Sequence, residues 1–133
     1  MDTNKSLGNS FESKFCDLLF QKGFWVHNLA QNQSGQPADI IAVRNGVAFL
    51  IDCKVCSGKV FSLSRVEDNQ RMAMKLWDDC GNGAGWFAVK FGENIYMAAI
   101  WQFDLADKVR LSEAWFIDYA EPLEEWLGRG VAT

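Results

Sequence analysis

Apolar residues Phe11, Phe15, Leu18 and Leu19 recur at helical spacing behind Asn9 or Ser10, either of which can cap a helix. Gly23 reads as the stop of that helix, and a short strand begins at Phe24. A polar loop, 31–37, separates it from two β-rich runs, Asp39 to Val43 and Val47 to Val55. Asn45-Gly46 between those runs is a strong hairpin signal. Ser64-Arg65-Val66-Glu67 has the spacing of a capping box, which predicts a helix to about Asp79 that stops at Cys80-Gly81-Asn82-Gly83. Gly85 to Phe91 and Ile95 to Ile100 form a second predicted hairpin, and short helices are expected near Trp101 to Asp107 and Leu123 to Leu127. The order α-β-β-β-α-β-β predicts an α/β fold, a mixed β-sheet flanked by helices.

The hairpin carries the chemistry. A two-residue turn at Asn45-Gly46 pairs Arg44 with Val47, and continuing the ladder sets Asp39 opposite Asp52. Asp39, Ile41 and Val43 then share a face with Asp52, Leu50 and Ala48, while Ile40, Ala42, Phe49 and Ile51 occupy the other. Like charges directly opposite destabilise a sheet, so the two carboxylates need a shared proton or a bridging cation. Lys54, two residues beyond Asp52, points to the same face. Oxygen ligands suit Mg²⁺ or Mn²⁺, and an ammonium beside them can orient a water. The alternative is that Lys54 merely neutralises two carboxylates.

Two helical residues extend this group. Glu12 is expected in the first turn of its helix, where the helix dipole alone can account for an acid. Gln70 falls on the apolar stripe of Val66, Ala73 and Trp77, so it needs a buried partner, either a core hydrogen bond or an active-site contact. His27, the single histidine, has no clear nucleophile beside it. Trp86, Trp101, Trp115 and Trp126 read as core or interface residues rather than base-stacking platforms.

Composition narrows the classes. The chain has 133 residues and a 49% hydrophobic content, which excludes a disordered chain and fits one domain, 1–133, with a core of about 8–100 and an acidic extension, 101–133. No apolar run approaches the length of a membrane span and Met1 to Asn9 is polar, so a cytoplasmic protein without membrane partners is expected. Cys53 and Cys56 form a C-x-x-C with no second ligand pair, and three residues apart on a strand they face opposite ways. The net charge of −4 is unevenly spread: residues 1–77 hold nine Lys/Arg against seven Asp/Glu, residues 78–133 four against ten.

Glu12, Pro37-Ala38-Asp39, Asp52-Cys53-Lys54 and Gln70 together resemble the motif order of the PD-(D/E)XK nucleases. Ser34-Gly35 with Asp39-Ile40-Ile41-Ala42 is similar to the archaeal Holliday-junction resolvases. Phe61-x-Leu63, Gln70 and Trp86-Phe87-Ala88-Val89 resemble the RecU-type resolvases. The resemblance covers roughly residues 8–100. It implies a restriction-endonuclease-like fold and a homodimer that cleaves four-way DNA junctions, in a microbial or phage-infected cell. It further implies Mg²⁺ or Mn²⁺ held by Glu12, Asp39, Asp52 and the Cys53 backbone carbonyl, with Lys54 assisting the water. Ser34 would lie near the scissile phosphate, Gln70 would support the site, and Lys14, Lys59, Arg65 and Arg71 would contact DNA. The acidic pI and Asn69, where the RecU-type pattern often has histidine, depart from it. A nuclease of this fold with another DNA substrate (restriction, repair or flap) is one alternative. A non-catalytic protein that binds nucleic acid or protein is another.

Overall fold

The computed structural model describes residues 4–29 and 38–129, so the expected loop at 31–37 lies outside the described residues, as do Ser34 and Pro37. Helix α1 spans Asn4–Gln21, starting earlier than the cap at Asn9 or Ser10 predicts. Gly23, at φ +90°, ends it by adopting a conformation that a side chain would strain. Strands β1 (Trp25–Asn28), β2 (Ile40–Arg44) and β3 (Val47–Cys56) follow. Asn45 and Gly46 both have positive φ, which suits the two-residue turn between β2 and β3.

β4 (Val60–Ser62) and a 3₁₀ turn (Leu63–Arg65) lead to α2 (Asp68–Trp77). The cap of α2 is Glu67 rather than Ser64, because the Ser64 backbone is already used in the 3₁₀ turn. Next come β5 (Trp86–Phe91), β6 (Asn94–Ala99), α3 (Ile100–Asp104), β7 (Arg110–Ser112), α4 (Glu113–Tyr119), β8 (Glu121–Pro122) and α5 (Leu123–Trp126). Gly85 enters β5 where a Cβ would overlap the Met74 side chain, so α2 packs close to the strand.

The main sheet has the order β1-β2-β3-β5-β6-β8, and β4 pairs with β7 in a second small sheet. β3 is antiparallel to β2 and parallel to β5, so the sheet is mixed and helices flank it. On one side, Phe11, Phe15 and Leu19 of α1 pack with Ile40, Ala42, Phe49, Ile51 and Trp126. On the other, Leu50, Phe87 and Val89 pack with Phe61, Met74, Phe103 and Phe116. Cys53 joins the first group and Cys56 the second, so the C-x-x-C thiols face opposite ways as their spacing predicts.

The boundary drawn at residue 100 does not divide core from extension. Phe103, Leu111, Phe116, Leu123 and Trp126 are buried, and β8 extends the main sheet. α4, β7 and β8 escape sequence patterning because seven-, three- and two-residue elements are too short to display a period. Among the described residues no helix is long and apolar enough to cross a membrane.

Candidate active site

The hairpin register is the one its turn predicts: Ile40 pairs with Ile51 and Arg44 with Val47. Asp39 sits one residue before β2 and leaves the ladder there. Its N–H donates to the Ile51 carbonyl at 3.1 Å, and its Oδ2 accepts the Cys53 N–H at 2.8 Å. The carboxylate thus satisfies a β3 amide that the end of β2 leaves unpaired, and that bond anchors it beside Asp52.

Asp52 is 3% exposed and Glu12 8% exposed. Asp39 lies within hydrogen-bonding reach of both, so three acidic side chains converge from α1, the start of β2 and β3. Glu12 belongs to the interior of α1 rather than its first turn, which removes the helix dipole as a reason for an acid there. Burial, then the Asp39 and Asp52 charges, push the Glu12 carboxyl up to about 7. Burial and the Asp39 charge also raise Asp52 to about 7, although Lys54 pulls the other way. Lys54 Nζ stands 3.1 Å from Asp52 Oδ2, and that buried oxygen has no well-aligned hydrogen bond.

Among the described residues no group of three or more His, Cys, Asp or Glu side chains is spaced to hold a metal ion by itself. The donor set nevertheless fits a hard cation that keeps part of its hydration, since Mg²⁺ is commonly held by one or two carboxylates. Asp52 Oδ2 is an acceptor awaiting a partner, and crowded carboxylates are what a divalent charge relieves. The thiols do not fit this role: burial first, then the neighbouring acids, raise Cys16 to about 11 and Cys53 well above the usual thiol range.

This electrostatic strain has a definite sign. Between about pH 4 and 7 the folded protein retains protons on Glu12 and Asp52 that the unfolded chain has released, so raising the pH through that window costs stability. With divalent ions chelated, denaturant unfolding is expected to show a loss of about 3 kcal/mol from pH 5 to 8, levelling off above. A flat profile would mean that the carboxylates are not crowded.

Gln70 is buried, and its Oε1 accepts the Glu67 N–H at 3.1 Å. That oxygen therefore caps α2, which accounts for a polar residue on the apolar stripe. Arg65 and Arg71 already have internal partners: Arg65 donates to the Val55 carbonyl at 2.8 Å and lies over the Phe61 ring, and Arg71 pairs with Asp104. Lys14 and Lys59 are exposed. Trp86 and Trp126 are core residues as expected, whereas Trp101 is 52% exposed. Trp25 and His27 were not among the expected site residues. They pair with Val43 and Ile41, which places them on the sheet face of Asp52, and the alternation of β1 could have found them.

The archaeal Holliday junction resolvase (Hjc) family model matches residues 3–131. No curated protein matches. Among solved structures, the 1.6 Å structure of Archaeoglobus fulgidus Hjc, a Holliday junction resolvase from an archaeal hyperthermophile, is similar, with a TM-score of 0.73 and 17% identity. The match covers 91% of this chain and 100% of that one. The extent of the family match, with a fold that brings Glu12, Asp39, Asp52 and Lys54 together, leads to one conclusion: the chain belongs to the archaeal Holliday junction resolvase (Hjc) family.

Proposed function

We propose that this protein is a metal-dependent endonuclease that hydrolyses phosphodiester bonds at four-way DNA junctions. The observation that carries the reading is the buried Asp52 oxygen without an aligned partner, set among Asp39, Glu12 and Lys54. Asp39, Asp52, Glu12 and the Cys53 carbonyl would hold Mg²⁺ or Mn²⁺. Such an ion supplies Lewis acidity and neutralises charge at the phosphate. Asp39 is fixed by the Cys53 amide and so presents its other carboxylate oxygen in a set direction. Lys54 is held by Asp52 and positions the attacking water, and its charge offsets the negative charge that builds on the phosphate. Ser34 would approach the scissile phosphate, and Gln70 holds the start of α2. Of the four cations expected at DNA, Lys14 and Lys59 are exposed and would meet its backbone.

Resolution needs two symmetric nicks, and each chain carries one such site, so the acting form is a homodimer. Met72 and Leu76 on α2, Trp101 on α3 and Leu105 just after it are exposed apolar residues. The Arg71–Asp104 ion pair ties the two helices together, and a second copy could cover this surface.

The reading is tested on four-way junction, flap, linear duplex and single-stranded DNAs with and without Mg²⁺. Paired nicks on the junction, dependent on the ion and at least tenfold faster than on duplex, are expected. Preference for flap or duplex would assign another substrate to the same chemistry. No cleavage of any DNA would favour a binding protein.

A further inference from the structure

Trp25 and His27 lie on β1, the edge strand of the main sheet, with rings stacked at 6.1 Å between centroids and 14° between planes. Trp25 is 62% exposed and His27 is exposed, so the stack is turned to solvent rather than used in packing. A large ring left this open is more than the fold requires, because Val26 already anchors the strand in the core.

The ladder locates the stack relative to the acidic site. His27 pairs with Ile41, Ile41 with Leu50, Trp25 with Val43 and Val43 with Ala48. Directly paired residues share a face, so Trp25, His27 and Asp52 all project from the same side of the sheet. At the usual strand rise, His27 lies about 7 Å and Trp25 about 13 Å along the strands from Asp39. Those spacings correspond to roughly two to four nucleotides at about 3.4 Å per base step.

Charge adds an independent observation. The chain has 17 Asp and Glu residues, yet Asp39 is the one carboxylate between Asp17 and Asp52. Lys22 and His27 fall in that stretch and are exposed, whereas Arg44 projects from the opposite face and donates to the Lys22 and Leu127 carbonyls. Among the described residues of β1 and β2 there is therefore no carboxylate beside the stack to repel a polyanion.

From these observations, and resting on the nuclease reading above, we infer that the Trp25–His27 stack is a platform for a DNA base that has left its helical stack, a few nucleotides from the phosphate that is cut. Aromatic rings hold unstacked bases regardless of sequence, and a branch point supplies bases whose stacking is already interrupted. The platform engages the substrate but does not take part in the chemistry, so it acts on affinity and not on the rate of the bound complex.

The test uses Trp25→Ala and Trp25→Phe in the full chain, with anisotropy of a labelled four-way junction and cleavage at saturating DNA. Trp25→Ala is expected to weaken junction binding about tenfold, within the roughly 5- to 150-fold range of one base–aromatic stack. Trp25→Phe is expected to stay within about threefold of wild type, and the saturated cleavage rate of both to be unchanged. With 2-aminopurine at successive positions around the branch, one position is expected to be quenched by wild type and not by Trp25→Ala. Unchanged affinity of Trp25→Ala, beside a wild type that binds and cuts, overturns the platform alone. Normal DNA binding with a halved molecular mass also overturns it, and assigns the surface to a second copy. A wild type that binds no DNA sinks both this inference and the nuclease reading.

Discussion

Asp52→Asn is expected to lower Mg²⁺-dependent cleavage by about 10³-fold or more, equivalent to roughly 4 kcal/mol of barrier, in a protein that remains folded. Asp52 is 3% exposed and its Oδ2 has no aligned hydrogen bond, so in the absence of an ion it is a buried charge with little to compensate it beyond Lys54. The amide keeps the shape and removes the charge. Two readouts should therefore move in opposite directions: activity falls, while stability at pH 8 in chelator rises by about 1–2 kcal/mol. The rise should fade towards pH 5, where the wild-type carboxyl holds its proton. Activity within tenfold of wild type would remove Asp52 from the chemistry. A loss of activity that accompanied unfolding at both pH values would make it a structural residue instead.

The second large effect belongs to the core. Trp126 is fully buried, stacked on Phe24 at 5.9 Å and edge-on to Phe49 at 4.9 Å and Trp86 at 5.9 Å. Trp126→Ala is expected to cost about 3–5 kcal/mol, read as a shift in the denaturation midpoint at constant slope. Its indole Nε1 is buried without a partner, so Trp126→Phe removes an unsatisfied donor as well as volume and is expected to cost about 1–2 kcal/mol. Equal tolerance of alanine and phenylalanine would mean that α5 is a dispensable appendage. The outcome bears on function because Trp126 and α1 pack in one cluster on the same side of the sheet, and α1 carries Glu12.

How far the chain could be read in advance depended on the range of the interactions involved. The two-residue turn at Asn45-Gly46 is local, with both residues at positive φ, and it is enough by itself to set the β2–β3 register. The Phe11, Phe15 and Leu19 spacing, the Gly23 stop and the opposite facing of Cys53 and Cys56 are likewise consequences of a period that a few residues can express. What failed was what depended on distant partners. The cap of α2 moved from Ser64 to Glu67 because the small β4–β7 sheet, closed by residues near 110, fixes the chain just before it. Arg65 and Arg71 read as free cations in one dimension, but Val55 and Asp104 hold them in three.

Asp39 shows where the division lies. That it belongs beside Asp52 follows from turn length and strand register, which the sequence alone determined. That it leaves the ladder, accepts the Cys53 amide and shares its surroundings with a buried Glu12 was decided by the packing of α1 across the sheet. The physical reason is that register is propagated residue by residue from a turn, whereas the burial of a charge depends on every element that excludes water from it. That Asp39, Asp52 and Lys54 lie together was therefore legible in the chain, and the electrostatics of the cluster were not.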